Sequence, residues 1–236
     1  MPPIIGFSEH LAIQTYSNAL YALNMLKAIT NTAIIAGVAV GIAELLGTFA
    51  AYGLSRFRFR RRDTVSMWIL SNWFMPPASV AFPIFVMIAF FHLTDSLFGA
   101  VIPMVSMVLP LIIWLNKAFM DDTPREIDES ALVDGCTRLS AFTRIILPLT
   151  KGGIVTSAIL SLIFVWNEFL ITSLVATTPN SFTVSVAAGG LVSMTRSIDW
   201  NVMGAVGVLT TTPVLIFGLL VQRYIVRGLT LGAVKG

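Results

Sequence analysis

The chain has 236 residues, of which 56% are hydrophobic and 11% charged, with a mean hydropathy of +0.85; a water-exposed surface usually needs about 25% charged residues, so the composition excludes a soluble globular protein and indicates a membrane one. The net charge of +3 does not indicate a nucleic-acid partner, because the basic residues cluster at the ends of apolar stretches, where membrane topology puts them. A single cysteine, Cys136, excludes an internal disulfide, and with only His10 and His92 beside it the chain offers no His/Cys metal centre.

Residues 1–27 form a polar segment whose start, Met1-Pro2-Pro3-Ile4-Ile5, lacks the basic region and cleavage site of a signal peptide. Five apolar stretches follow, at approximately 29–54, 66–91, 97–119, 152–176 and 203–226. Each is long enough for a helix to cross a hydrocarbon core of roughly 30 Å. Helices are required because backbone polar groups in hydrocarbon must pair within their own segment. The alternating short stretches of a membrane barrel are missing. The expected fold is therefore an all-α polytopic bundle of about five transmembrane helices. Pro76, Pro77, Pro83, Pro103, Pro110 and Pro213 fall inside these spans, where packed membrane helices tolerate them as kinks.

Basic residues orient the bundle. The loop after the first span, the loop after the third, and the tail together hold 13 of the 15 Lys and Arg, and all three fall on one side. The other side has only Lys27 and Arg196. Excess Lys and Arg marks the cytoplasmic side, which puts residues 1–27 outside and the C-terminus inside.

The third loop, 117–151, is the least membrane-like part of the chain. Thr123 reads as an N-cap, Pro124 as the first helical residue and Glu126 as the closing member of a capping box. This helix would run to Asp134 and stop at Gly135. A second amphipathic helix would follow, with Leu139, Phe142, Ile145 and Ile146 on one face and Pro148 at its end. Such a pair either lies on lipid headgroups or docks on another protein. Because the first helix carries Glu126, Asp128, Glu129 and Asp134, docking is favoured: a helix on an anionic leaflet prefers Lys and Arg.

Glu44 and Glu168 lie within spans. A carboxylate there is costly and normally faces protein or a wet cavity. Internal pairing is expected for Glu44. Glu168, following Trp166 and Asn167, either lines a path or makes a polar packing contact. Asn72, Trp73, Asn116 and Thr211, within the run Thr210-Thr211-Thr212 before Pro213, are further cavity candidates suited to a hydroxyl-rich solute. There is no phosphate-binding G-x-x-x-x-G-K-S/T sequence, so any ATP is bound by another chain. The H-E-x-x-H motif and nucleophile elbow of membrane enzymes are likewise missing. An ion-coupled secondary transporter could use the two glutamates, but that reading leaves the 117–151 loop unexplained.

The loop resembles a known family. Glu129-Ser130-Ala131, three residues, Gly135, nine residues, then Ile145-Ile146-Leu147-Pro148 is similar to the EAA-x3-G-x9-I-x-LP loop of ABC importer permeases, with Ser130 for the first alanine. Trp166-Asn167-Glu168-Phe169, the early segment Tyr52–Arg60 and the tail Gln222–Thr230 with Gly232–Gly236 resemble the second permease subunit of maltose-type carbohydrate importers. The resemblance covers the chain from about residue 28, giving a permease domain 28–236 after the external segment 1–27. It implies half of a translocation pathway for a sugar, oligosaccharide or polyol, with a non-sugar solute such as glycerol phosphate as the alternative. Glu129, Ser130, Ala131, Asp134, Gly135, Ile145, Leu147 and Pro148 would couple to separate ATP-binding subunits. The expected substrate-path residues are Asn72, Trp73, Asn116, Trp166, Asn167, Glu168 and Thr211. A second homologous permease and an extracytoplasmic solute-binding protein would complete the complex in the bacterial inner membrane. No cofactor is expected in this chain itself, with ATP and Mg bound by the partner ATPase. Members of this family normally have six spans, the first preceding an external loop; this chain begins inside that loop and is expected to lack that first span.

Overall fold

A computed structural model describes residues 14–22, 24–194 and 200–233, with a short π-helical turn at Asn18–Ala22 followed by the main helices. These are α1 (Met25–Arg56), α2 (Arg62–Trp73), α3 (Pro77–Phe90), α4 (Leu97–Asp121), α5 (Arg125–Val133), α6 (the helical segment Arg138–Leu149), α7 (Lys151–Asn167), α8 (Leu170–Val175), α9 (Val184–Met194) and α10 (Trp200–Ala233). No strand occurs among the described residues. Much of the segment 1–27 that was read as external, Arg196 on the same expected side and the terminal residues Val234–Gly236 lie outside them, as do the side chains of Arg223 and Arg227.

Met25–Arg56, Leu97–Asp121 and Trp200–Leu220 are each long and apolar enough to cross a membrane. Two broken and bent helix pairs, α2 with α3 and α6 with α7, raise the number to five if each crosses as one span. The expected all-α membrane fold holds, but two expected spans are not continuous. The 66–91 stretch stops at Trp73 and resumes at Pro77. Adjacent Pro76 and Pro77 remove two backbone donors and push the preceding residues out of the helical region. The 152–176 stretch is interrupted at Glu168-Phe169. By contrast, Pro83 and Pro213 remain inside α3 and α10. Helix α9, in the segment read as an external connection, was not expected from the apolar pattern.

The chain packs as two compact units. One comprises Met1–Gly37, Pro77–Pro103 and Val165–Ile216. In it α8 packs on α3, and the 176–183 segment is held by side chains from elsewhere in the unit. Asn31 Nδ2 donates to the carbonyls of Asn180 (2.9 Å) and Phe182 (3.0 Å), while the Val184 N–H donates to Thr32 Oγ1 (2.8 Å). Asp95 accepts from the Thr177 and Thr178 N–H groups and from the hydroxyls of Thr178 and Ser181.

The other unit comprises Val38–Pro76, Met104–Phe164 and Phe217–Gly236, and holds the same 13 basic residues that orient the bundle. Small residues permit close helix contact here: a Cβ on Gly47 would collide with Ile112, and one on Gly153 with the Phe119 ring. Close approach at glycine is the ordinary means of packing helices in lipid. Large apolar side chains on the outer faces of α1 and α4, including Leu45, Leu46 and Trp114, remain exposed, as membrane-spanning helices require.

Candidate functional site: the Pro124–Leu149 loop

Helix α5 begins at Arg125, one residue later than expected, with Pro124 at its N-cap and no side-chain cap. The capping box read from Thr123 and Glu126 does not form. Thr123 Oγ1 instead donates to the Phe119 carbonyl (3.2 Å), extending the end of α4. The C-terminus follows expectation. Gly135 adopts φ +87°, its N–H donates to the Leu132 carbonyl (3.1 Å), and the Cys136 N–H donates to that of Ala131 (3.0 Å). This is the paired closure that a left-handed residue after a helix provides. Thr137 caps the next segment by accepting from the Ser140 N–H (3.2 Å). Pro148 does not end α6, which continues to Leu149 and meets α7 at a bend of 72°. Proline in the first turn of a helical piece costs nothing there, since its missing donor would be unpaired anyway.

The loop is clamped on one face and free on the other. Asp128, one of the four acidic residues that made docking the favoured reading, is buried and forms an ion pair with Arg56 (Nε to Oδ2, 2.5 Å), a charge contact rather than an aligned hydrogen bond. Arg56 Nη2 donates to the Thr123 carbonyl (3.1 Å), and Arg125 Nη2 donates to that of Ser55 (2.9 Å). Ser55 Oγ donates to Asp121 (2.6 Å), whose other oxygen accepts from Lys117 (2.5 Å). Below this polar layer the tilted rings of Tyr52 and Phe142 pack with centroids 4.5 Å apart, in a core with Ala51, Met120 and Ile146 on which Ile127, Ile145 and Leu147 pack. The end of α1 is thus fastened to both short helices by a buried ion pair and an aromatic contact.

On the opposite face Glu126, Glu129, Ser130, Asp134 and Gly135 are exposed. So are two large apolar residues, Val133 (87%) and Leu139 (62%). Ser130 Oγ is turned back to the Glu126 carbonyl (2.7 Å). Of the coupling set, Glu129, Ser130, Asp134, Gly135 and Pro148 are therefore outward, whereas Ala131, Ile145 and Leu147 face the core. A cavity of about 470 Å³ lies beside the clamp, lined by Tyr52, Arg56, Arg125, Asp128, Glu129 and Arg138 among others. Sequence reasoning missed Arg56, Arg125 and Tyr52 as partners of the loop. Their signal was weak: three residues at one span end and one helix start, with nothing in the spacing to pair them.

The path candidates separate into different settings. Trp166, Asn167 and Thr211 come together, lining with Ser185, Thr210 and Val214 a cavity of about 190 Å³. Trp166 Nε1 donates to the Thr210 carbonyl (3.1 Å). Glu168, beside them, is buried and uses both carboxylate oxygens to accept from the Ile171 (2.7 Å) and Thr172 (3.0 Å) N–H groups, capping α8. A carboxylate at a helix N-terminus satisfies donors the helix leaves open. In the other unit Asn72 donates to the Trp68 carbonyl (2.8 Å) and the Trp73 ring packs at a tilt against Phe164 (centroids 5.0 Å apart). Asn116 is fully buried and donates to Glu44 Oε1 (2.5 Å) and Thr48 Oγ1 (3.0 Å). Ser157 Oγ stands 3.1 Å from both Glu44 oxygens and 2.9 Å from Asn116 Oδ1. Glu44 has the internal pairing expected of it.

The sequence pattern of the family described as binding-protein-dependent transport system inner membrane component matches residues 43–231. The chain is 32% identical to a probable ABC transporter permease of Sinorhizobium fredii over 235 residues, covering all of this chain and 83% of that protein. It is 32% identical to the trehalose/maltose transport system permease MalG of Thermococcus litoralis (87% of this chain, 74% of the relative). It is 34% identical to the trehalose transport system permease SugB of Mycobacterium tuberculosis (87% and 77%). A bacterial ABC transporter that imports the acidic polysaccharide alginate shares the fold, with a TM-score of 0.75 at 21% identity over 89% of this chain and 78% of that one. The apolar helices, the family pattern over most of the length and the permease relatives agree: this chain belongs to the binding-protein-dependent transport system inner membrane components, a multi-pass membrane permease of the ABC importer class whose ATPase is a separate chain.

Proposed function

We propose that this permease forms half of the translocation pathway of a carbohydrate importer, and that the free face of α5 and α6 docks on the ATP-binding subunit. The carrying observation is the loop itself: an exposed face of Glu129, Ser130, Val133 and Asp134, ended by left-handed Gly135 and fastened on its other side to α1 by the Arg56–Asp128 pair. Coupling between distant sites requires a physically connected element, and this loop connects an outward surface to the end of a membrane span. The loop and the C-terminus are cytoplasmic in this reading, supported by the basic residues around them.

A second, homologous permease completes the pathway, and an extracytoplasmic binding protein delivers the solute. ATP and Mg belong to the ATPase. The carbohydrate assignment is supported by relatives named for trehalose and maltose transport and for sulfoquinovosyl glycerol. The indole, amide and hydroxyl groups of Trp166, Asn167, Ser185 and Thr211 suit a hydroxyl-rich solute. Cysteines introduced as Glu129→Cys or Asp134→Cys in a Cys136→Ser background should crosslink to a co-purifying nucleotide-binding chain. The co-purifying binding protein should bind a sugar or polyol in a ligand screen. Crosslinks that never reach a nucleotide-binding chain sink the docking assignment. A binding protein that takes only amino acids or inorganic ions sinks the carbohydrate one.

A further inference from the structure

Between the ends of α1 and α2 the structure holds a second polar cavity that the transport reading does not use. It has a volume of about 520 Å³ and is lined by Arg58, Phe59, Arg61, Arg62, Asp63, Thr64 and Arg125. Its lining brings together four arginines and a single carboxylate, that of Asp63. That carboxylate is engaged by its neighbour, Arg62 Nε lying 3.1 Å from Asp63 Oδ1, and Arg125 is committed to the Ser55 carbonyl. The Arg58 and Arg61 guanidiniums have no acceptor among the described residues. Arg61 holds a left-handed backbone (φ 74°, ψ 18°) immediately before α2, whose first turn has no side-chain cap. The uncapped N–H groups and helix dipole add positive potential.

We propose that this cavity binds the phosphate headgroup of an anionic phospholipid. Guanidinium forks match phosphate oxygens in bidentate geometry, and a cluster of them is the ordinary recognition chemistry for phosphate. The surroundings select an amphiphile over free phosphate. Phe59, which lines the cavity, is exposed, and so are Val65 and Trp68, one turn apart on one face of α2, which offers an acyl chain apolar surface next to the arginines. Basic pockets next to membrane-crossing helices on the positively charged side are where anionic headgroups gather. The proposal is independent of which solute is carried.

The test uses the assembled importer in detergent, titrated with phosphatidylglycerol or phosphatidylcholine and read by native mass spectrometry. The parent complex should retain phosphatidylglycerol in preference to phosphatidylcholine, and the Arg58→Gln/Arg61→Gln variant should bind it roughly thirtyfold more weakly. An Arg60→Gln/Arg144→Gln variant removes the same charge away from the cavity and should bind as the parent does. Equal loss in both variants, or none in either, overturns the proposal. Inorganic phosphate that displaces the lipid and protects the complex from thermal unfolding as well as phosphatidylglycerol does would assign the site to a free anion instead. Without any substitution, a photoreactive phosphatidylglycerol should label the parent within residues 57–68. Label spread evenly over all lipid-facing helices would also overturn the assignment.

Discussion

Gly135 and Asp128 fix the loop by different physics, and substitutions can separate them. No neighbouring atom lies within 4 Å of a Cβ built on Gly135, so alanine there meets no clash, and its cost is the left-handed backbone, roughly 1–2 kcal/mol for an L-residue. Asparagine tolerates that conformation better. If the exposed face at Gly135 meets a partner, Gly135→Leu should abolish solute-stimulated ATPase while Gly135→Ala reduces it modestly and Gly135→Asn less still. Equal losses for Leu and Ala would make Gly135 a helix terminator and nothing more. Asp128 is a buried charge whose partner cannot follow it to water. Asp128→Ala strands Arg56 and should destabilise the loop by about 3 kcal/mol, the usual cost of breaking a buried pair from one side. Limited proteolysis of the assembled complex should then cut near residues 122–137 much faster than in the parent.

At the scale of elements, apolar length located the spans and missed their breaks. The expected ranges for α1, α4 and α10 fell inside the observed helices because hydrocarbon thickness alone sets that length. The break before Pro77 was written in the sequence as two consecutive prolines, yet hydropathy is blind to a lost donor. The break at Glu168 was less legible still, since a carboxylate that caps α8 looks in sequence like one that lines a path. The end of α5 in the Pro124–Leu149 loop read well because helix stops are local chemistry: Gly135 ends α5 where it was expected to. Its start was misread because Thr123 and Glu126 satisfied the capping pattern while Thr123 was still bonded into α4. Asp128 was counted with the acidic residues that favour docking, and its burial against Arg56 was not foreseen because that partner is distant in sequence.

Asp95 makes an element-scale prediction. Hydrogen bonds from the Ser181 and Thr178 hydroxyls, with the Thr178 and Thr177 N–H groups adding to them, hold its carboxyl far below its ordinary value of 3.8. A carboxyl depressed in the folded state contributes stability that is complete above the unfolded pKa and is lost as the pH falls below it. Thermal stability of the complex should therefore be flat in this contribution from pH 7 to about 5 and decline below about 4. Asp95→Asn, which has no charge to lose, should start lower and lack that part of the decline. Parallel curves for the two proteins would remove Asp95 from the fastening of the 176–183 segment.

For the whole molecule, the uneven distribution of charge and the order of the spans make one statement about sidedness, and the single cysteine allows it to be checked with little engineering. Cys136 is partly exposed and follows Gly135 in the loop that carries five basic residues, whereas Asn180 lies in a connection where Lys27 is its charged neighbour, donating to its side chain at 2.6 Å. If the basic loops are cytoplasmic, a membrane-impermeant maleimide added to intact cells with a permeable outer barrier should leave Cys136 unmodified and label it only after the inner membrane is opened. In a Cys136→Ser/Asn180→Cys protein the order should reverse, with labelling from outside. Labelling of Cys136 from outside would invert the molecule, and with it the docking of α5 and α6 on an ATPase, because a loop facing away from the cytoplasm cannot meet a subunit that depends on cytoplasmic ATP.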